Sequence, residues 1–587
     1  MSGKQQQQSQ KLVIYQLLVR LFGNCQTSPV LNGTMEENGV GKFNDISDKA
    51  LEEIKLLGAT HVWYTGILEH ATMTDFSSYL IQPDDWRLVK GRAGSPFAIK
   101  DYFDVSPELA VNINDRMVEF EQLISRTHKQ GLRAIIDFIP NHVARNYHSE
   151  SVDGKNNFFG GDDDCAVPFH PQNNYYYILD QSFAPPADYF PLGMESFPDE
   201  QKIYIEAPAK VTGNNVISAN PGTNDWFETV KLNFGIDIFN GHSRYFDPIP
   251  KTWLYLKEVL LFWTKKGVDG FRCDMAEMVP VEFWSWVIPQ IKMLNPDVDF
   301  IAEIYQPDQY RNYIDNGRFD YIYDKAGLYD KLCAVLKGDA PAEEISACIE
   351  KTSDFSHQML CFLENHDETR VASKHFVRNA WAAIPAMAIL STVNKGPVMV
   401  YFGQEVGETA DERAGFGGGN GRTTIYDYWN VPELQKWVNK GAFDGAALSS
   451  SQLMLRNYYQ QLLNIANRNE AVVHGGFLVA NDDIEVEEES TAKSKFLYAY
   501  YRYTEAQKLL IIVNFNREKY FTVLFNMKFQ KWQMMNGSRA VTFLFKELLS
   551  EKSLQARGDD AQNLFHQSLQ LVIPPSGALI YSIEEIN

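Results

Sequence analysis

LRAIIDFIP (132–140) is a short apolar run that begins after Gly131 and ends at a proline, which is typical of a buried β-strand. The segment before it carries a face at helical spacing, formed by Phe120, Leu123, Ile124 and Thr127. Another apolar run, THVWYTGI (60–67), precedes that helix. A strand, a helix and a strand in this order predict a βαβ unit within a parallel sheet.

The same alternation continues in both directions from this unit. LVIYQLLVRLF (12–22) predicts a strand before it, followed by a helix face at Ala50, Ile54 and Leu57. Five more strand-like runs follow it, namely VDGFRCDMA (268–276), VDFIAEIY (298–305), FDYIYD (319–324), MLCFLENHD (359–367) and PVMVYFG (397–403). Eight strands with helices between them predict a closed (β/α)8 TIM barrel of the α/β class.

Two regions depart from this alternation. Residues 145–235 are rich in Asn, Asp, Gly, Pro and Tyr, and they predict an inserted irregular subdomain after the third strand. Residues 465–587 consist of short strand-like runs with turns, which predict a C-terminal all-β sandwich domain. The barrel itself is then expected to comprise residues 1–144 and 236–450.

Length, charge and cysteine usage narrow the class of function. The chain has 587 residues, which is too long for one core, and a net charge of −21. No basic tract is present, so nucleic acid is excluded as a partner, and a neutral substrate suits the surface. The six cysteines lack zinc-site spacing, so no cysteine-ligated metal is expected.

The first residues predict neither export nor a membrane partner. MSGKQQQQSQ (1–10) lacks the apolar core and cleavage site of a signal peptide. The apolar run that follows it is too short to span a bilayer. A cytoplasmic location is therefore the expectation.

Polar residues stand where the predicted barrel strands end. In this fold the catalytic groups lie at the carboxyl ends of the strands, and residues two apart share one side of a strand. The polar residues at these ends are Asp137, Asn141, His142, Arg272, Asp274, Glu303, His366 and Asp367. Asp274, Glu303 and Asp367 are therefore expected to converge at one mouth of the barrel.

Three convergent carboxylates fit the cleavage of a glycosidic bond. One carboxylic acid must protonate the leaving oxygen, and one carboxylate must attack or stabilise the cationic sugar. Arg272 is expected to lower the pKa of Asp274, and Glu303 is expected to have the raised pKa that a general acid needs. In a retaining enzyme the two carboxyl groups lie about 5–5.5 Å apart.

Four ordered motifs resemble the signatures of the α-amylase family, glycoside hydrolase family thirteen. They are IIDFIPNHV (135–143), GFRCDMAEM (270–278), FIAEIYQ (300–306) and FLENHD (362–367). The resemblance implies that Asp274 is the nucleophile, Glu303 the acid/base and Asp367 the carboxylate that helps to distort the sugar. It also implies substrate contacts by Arg272, His142, His366, Phe97 and Tyr102.

The chain departs from the family pattern at a few positions. Phe97 stands where the family often has a tyrosine that stacks on the sugar, so stacking is kept and a hydroxyl is lost. Glu277 and Met278 replace the Lys-His of many α-amylases, on the side of the leaving sugars. No cofactor is required for the chemistry, and the resemblance makes Asn141 a candidate ligand for a structural calcium ion.

Three functions are compatible with the sequence. The first is retaining hydrolysis of α-glucosidic bonds, above all α-1,4 bonds, in glucans or maltooligosaccharides. The second is transglycosylation by the same residues, and the third is a non-catalytic barrel that serves as a binding or partner subunit. Bond preference, exo or endo action and oligomeric state stay open at this point.

Overall fold

Eight parallel strands close into a barrel in the computed structural model, which describes residues 10–149, 159–190, 204–411, 419–486, 490–537, 542–550, 552–557 and 568–586. The barrel strands are β1 Val13–Leu18, β2 His61–Thr65, β3 Arg133–Phe138, β4 Gly270–Cys273, β5 Asp299–Ala302, β6 Tyr321–Tyr323, β7 Met359–Phe362 and β8 Val398–Tyr401. Each strand pairs with its neighbour in sequence, and β8 pairs with β1. The predicted TIM barrel is confirmed.

Helices surround the barrel. They are α1 Asp48–Leu57, α2 Arg116–Lys129, α3 Lys251–Lys265, α4 Val281–Leu294, α5 Asp330–Lys337, α6 Ile345–Lys351, α7 Ile384–Thr392 and α8 Ser450–Arg468. The Ser47 side chain accepts a hydrogen bond from the Ala50 backbone at the start of α1, and Gly58 ends the helix in a left-handed conformation.

Two local expectations differ from the structure. The first strand ends at Leu18, because Val19–Phe22 forms a helical turn instead of continuing the apolar run as a strand. The connection between β5 and β6, all of whose residues the structure describes, contains a π-helix at Asn312–Asn316 in place of an α-helix. Neither change alters the direction of the barrel strands.

The register of β3, β4 and β5 fixes the geometry of the barrel mouth. Arg272 pairs with Asp137 on one side, and Cys273 pairs with Ala302 on the other. Asp274 and Glu303 are the next residues after that pair, so both begin the loops that leave the barrel at the same height.

The segment inserted after β3 is tied to the barrel by short antiparallel strands. His142–Ala144 pairs with Thr229–Lys231, which brings both ends of the insert together. Tyr177–Ile178 pairs with Ala209–Lys210 within the insert. The insert is therefore not wholly irregular, and its return strand runs directly beside His142.

The C-terminal region contains two antiparallel sheets. In chain order the strands are β9 Gly476–Val479, β10 Ile484–Val486, β11 Leu497–Tyr503, β12 Lys508–Asn514, β13 Phe521–Phe525, β14 Thr542–Glu547, β15 Ser553–Arg557, β16 Leu569–Ile573 and β17 Gly577–Ile586. Strands β9, β11, β12, β17, β14 and β15 form one sheet, and β10, β13 and β16 form the other. Their facing side chains share one buried core, as a sandwich requires.

No helix among the described residues combines the length and the apolar character that crossing a membrane requires.

Candidate active site

One guanidinium group holds two of the predicted catalytic carboxylates. Arg272 is fully buried; its Nη1 lies 2.7 Å from Oδ1 of Asp274, and its Nη2 lies 2.8 Å from Oε1 of Glu303. Nη1 also lies 3.5 Å from Oδ1 of Asp137. The register of β3, β4 and β5 produces this arrangement, and it brings Asp274 and Glu303 to adjacent positions at the mouth.

Glu303 accepts further hydrogen bonds from its surroundings. The backbone N–H of Met275 donates to its Oε2 at 2.8 Å, and the hydroxyl of Tyr305 donates to its Oε1 at 2.6 Å. Tyr305 is in turn held by its own backbone N–H, which donates to Glu277 Oε2 at 3.2 Å. Glu277 therefore secures the loop whose tyrosine orients the proposed acid/base.

Aromatic residues surround the guanidinium and its partners. Trp63 donates from its indole N–H to Oδ2 of Asp137 at 3.1 Å, and Arg272 Nε donates to the hydroxyl of Tyr323 at 3.3 Å. The guanidinium carbon lies 5.4 Å from the ring centre of Trp63 and 5.5 Å from that of Phe97. These contacts fix the orientation of Arg272.

Burial changes the protonation of this cluster. Loss of water raises the pKa of Asp274, and the opposing field of Arg272 does not cancel this effect because Glu303 and Asp137 share the same guanidinium. Burial likewise raises the pKa of Asp137. Arg272 does lower the pKa of Asp274, as expected, but burial outweighs it, so the expectation that Arg272 holds this pKa low is wrong.

Asp367 forms a separate pair with His366. Nε2 of His366 lies 3.0 Å from Oδ2 of Asp367, and the Gln16 side-chain amide lies 2.9 Å from Nδ1 on the other side of the ring. Burial opposes the charge on His366, but Asp367 outweighs it and raises the histidine pKa. Burial also opposes the charge on Asp367, but His366 and Arg272 lower the pKa of this carboxyl.

A cavity of about 340 Å³ brings these groups together. Its walls include Asp274, Glu303, His366, Asp367, His142 and Phe97. The ring of Phe97 stacks on that of His366 with centres 5.0 Å apart, and the ring of His142 packs against Trp226 at 5.1 Å. Burial lowers the pKa of His142 to about 3, so this histidine is neutral.

Two predicted site residues have other roles. Tyr102 is fully buried and does not line the cavity; its hydroxyl donates to the backbone carbonyl of Ile139, so it supports the loop that carries His142. The sequence FAIKDY (97–102) alone could not show whether the side chain of Tyr102 faces the cavity or the protein interior. The predicted substrate contact by Tyr102 is corrected to a supporting role.

Asn141 does not fit a calcium ion as the structure places it. Its side-chain oxygen, the atom that would bind calcium, accepts a hydrogen bond from Nζ of Lys231 at 2.6 Å. Its amide nitrogen donates to the carbonyl of Gly213 at 2.8 Å. The amino group of Lys231 thus occupies the place beside Asn141, and no catalytic step is assigned to a metal there.

One group of three carboxylates among the described residues could share an ion. Glu69, Asp101 and Asp104 are buried, and their ligand atoms lie within 4.8 Å of one another. Asp104 also accepts a hydrogen bond from Nε of Arg116 at 3.0 Å. None of the three lines the catalytic cavity.

Several wall residues carry no signal in the sequence. Lys90, Trp226, Glu228 and Tyr426 line the same cavity, but they come from loops far apart in the chain. Tyr305 could have been found, because it lies two residues after Glu303. A second cavity of about 630 Å³ is lined by Glu277, Met278 and Gln306 and shares Met275 with the first.

The chain is similar to known proteins in both sequence and fold. The family model for the alpha amylase catalytic domain matches residues 32–431. Alpha-amylase 3 of Dictyoglomus thermophilum is 22% identical over 526 residues, which covers 86% of this chain and 85% of that protein. An alpha-1,4-glucan:maltose-1-phosphate maltosyltransferase of Cereibacter sphaeroides is 42% identical over 69 residues, or 12% of this chain and 11% of that protein.

Solved structures share the fold over nearly the whole chain. AmyP in complex with maltose has a TM-score of 0.62 and 16% identity, and the match covers 97% of this chain and 96% of that one. The alpha-amylase of Geobacillus thermoleovorans, complexed with acarbose, has a TM-score of 0.60 and 18% identity, with both chains covered in full.

Proposed function

This chain belongs to the α-amylase family, and from that premise we propose that it is a retaining glycoside hydrolase that cleaves α-glucosidic bonds, above all α-1,4 bonds, in glucans or maltooligosaccharides. The observation that carries the proposal is the guanidinium of Arg272, which contacts Asp274 and Glu303 at once. One guanidinium bridges two carboxylates only when they are close. Such closeness supports the short spacing of retaining enzymes, about 5–5.5 Å, over the wider spacing of inverting ones.

The proposed reaction has two steps. A carboxylate oxygen of Asp274 attacks the anomeric carbon while the glycosidic C–O bond breaks, and Glu303 gives its proton to the leaving oxygen. Glu303 then removes a proton from water, whose oxygen attacks the same carbon and releases Asp274. Asp367 accepts hydrogen bonds from the sugar hydroxyls, and His366 donates a hydrogen bond to a sugar hydroxyl. Phe97 supplies an apolar face beneath the ring.

Transglycosylation is the second candidate, and the larger cavity beside Met275 favours it. That cavity is lined by Glu277, Met278 and Gln306, and it lies next to the residue whose N–H holds Glu303. A sugar hydroxyl seated there could replace water in the second step. Product analysis on maltotriose separates the two reactions, because only transfer yields chains longer than the substrate.

The non-catalytic alternative has no support in the site. The three carboxylates, Arg272 and both histidines are all retained, and the carboxylates share one cavity. No step of the proposed chemistry requires a metal ion, since carboxyl groups supply both the nucleophile and the proton.

Substitution of the nucleophile tests the proposal. We expect D274N to lower kcat on a chromogenic maltooligosaccharide by about a thousandfold or more, because no covalent glycosyl-enzyme can form. D308N, an exposed aspartate on the loop after β5, serves as the control and should retain activity. Proton NMR of the fresh products should show the α-anomer first; unchanged activity in D274N, or a β-anomer, would refute the mechanism.

A further inference from the structure

The two cavities meet at Met275, and Asp274 and Glu303 line the smaller of them. Met275 is the residue that both cavities share, and its N–H donates to Glu303, the proposed proton donor to the leaving group. The cavity of about 630 Å³ beyond Met275 is therefore the leaving-group side. The cavity of about 340 Å³ that contains Asp274 and Asp367 is then the side of the sugar that becomes attached to the enzyme.

This attached side is small and contains a buried ion pair. Its volume lies at the low end of the range for small-molecule sites, which suffices for about one or two sugar rings. Nζ of Lys90 lies 3.0 Å from Oε1 of Glu228, and both residues line the cavity. Lys90 is 7% exposed and Glu228 is 4% exposed, so the pair is buried in the wall of the cavity.

Glu228 is not satisfied by the protein. Its Oε2 is buried and has no hydrogen-bond partner among the described residues. A buried carboxylate oxygen that lacks a donor is costly, so a donor from the ligand would stabilise it. Sugar hydroxyls are donors of the right kind, and the cavity is where they would be.

The backbone holds Glu228 in place. Its carbonyl accepts a hydrogen bond from the backbone N–H of Arg145 at 3.2 Å. The residue after it, Thr229, begins the strand that pairs with His142–Ala144. Glu228 is thus held at a fixed distance from His142 and from the catalytic carboxylates.

We propose that Lys90 and Glu228 bind the hydroxyls of the non-reducing terminal sugar, so that the enzyme acts from chain ends and releases short products. Lys90 donates to a hydroxyl oxygen, and Oε2 of Glu228 accepts a hydroxyl proton. In this proposal the buried pair closes the attached side, so that a glucan chain does not continue past it. The inference rests on the proposed glycosidase function and adds an exo mode of action to it.

A substrate with a blocked chain end tests the inference. The probes are p-nitrophenyl α-maltoheptaoside with a free non-reducing end and the same compound with that end blocked by a 4,6-ethylidene group. We expect the free substrate to be cleaved to glucose or maltose, and kcat/KM for the blocked substrate to be at least a hundredfold lower. Equal cleavage of both would overturn the exo assignment and leave the glycosidase function intact; cleavage of neither would overturn both.

Variants of the pair sharpen the test. E228Q should lower kcat/KM for the free substrate about tenfold, mainly through KM, and should reduce the difference between the two substrates. D84N is the matched control, because Asp84 forms a comparably buried pair with Lys100 at 3.2 Å outside the cavity lining. An E228Q enzyme that discriminates between the substrates as strongly as D84N would refute the role of Glu228.

Discussion

At the scale of single residues, the site is short of positive charge. Arg272 carries one positive charge, whereas Asp137, Asp274 and Glu303 would together carry three negative ones within its reach. In a buried site such a surplus favours retention of a proton by the carboxyl group that is least compensated. The pKa of Asp274, the proposed nucleophile, is raised accordingly, by burial first and by the carboxylates of Glu303 and Asp137 in addition.

The pH dependence of activity follows from this charge balance. Because burial raises the pKa of Asp274 to about 7, we expect the acid limb of kcat/KM near neutral pH instead of near pH 4. Activity should fall as the pH drops through this limb, since a protonated Asp274 cannot attack.

A variant controls this prediction. D137N removes a negative charge that raises the pKa of Asp274, so the acid limb of this variant should move to lower pH. An acid limb near pH 4 in both the unmodified chain and D137N would contradict the assignment of this limb to Asp274.

The raised pKa of Asp274 also affects the free energy of unfolding. Between about pH 4 and 7 the folded chain holds a proton on Asp274 that the unfolded chain has released, so the free energy of unfolding falls as the pH rises across this window.

The proposed catalytic residues could be selected from the sequence because each one stands at the end of a predicted barrel strand. Asp274 and Glu303 each end an apolar run that would not otherwise tolerate a charge, and the barrel fold gives such ends a common location. Lys90 and Glu228 could not be found in this way. They belong to loops without periodicity, and only the folded chain brings them to the same cavity.

At the scale of elements, the insert is organised around Arg145. Its Nη1 lies 2.7 Å from Oε1 of Glu206, and its Nε donates to the carbonyl of Phe227. The guanidinium also lies 3.7 Å above the ring of Phe183. One buried side chain thus connects distant parts of the insert directly before Glu228. The sequence predicted irregular structure here because two-residue strands have no readable period.

Replacement of Arg145 should affect substrate binding more than chemistry. R145M leaves Glu206 without its guanidinium, a change that typically costs about 3–5 kcal/mol in a buried pair, and the return strand of the insert should loosen. We expect KM on maltooligosaccharides to rise about tenfold, with kcat changed less, because Trp226 and Glu228 line the cavity whereas the carboxylates belong to the barrel. Steady-state kinetics and limited proteolysis of the insert check this.

The control for the insert is an exposed ion pair. Arg311 and Asp354 form such a pair, and R311M should leave KM and the proteolytic pattern unchanged. If R145M lowered kcat and left KM unaltered, the insert would be acting on the chemistry and not on binding.

At the scale of the whole molecule, the larger C-terminal sheet is buried on both faces. One face shares a core with the smaller sheet, and the other joins the barrel core through Tyr498, Tyr500, Ile511, Val513 and Ile580. This explains why LLIIV (509–513) is continuously apolar and does not alternate. The sequence indicated the strands correctly, but the apolar run alone could not show that the barrel covers the second face.

Arg502 connects the barrel and the C-terminal sheet. It lies on β11, is 2% exposed, and donates from Nη1 to the carbonyl of Val393 at 3.1 Å. Its Nη2 donates to the carbonyls of Val472 and Gly475 at 2.9 and 2.8 Å. Burial lowers its pKa to about 10, so it remains charged at neutral pH. The planar, multiply donating guanidinium is what allows one residue to bind several carbonyl groups.

Loss of this connection should lower the stability of the whole chain. R502M leaves at least three buried carbonyl groups without their donor, at about 1–3 kcal/mol each, so we expect the thermal unfolding midpoint to fall by several degrees. R502K should be intermediate, because an ammonium keeps the charge but not the planar geometry, and kcat/KM at 25 °C should not change in either variant. Calorimetry measures the thermal unfolding midpoints of these variants, with R311M as the control. Equal midpoints for R502M and R311M would show that apolar packing alone joins the sheet to the barrel.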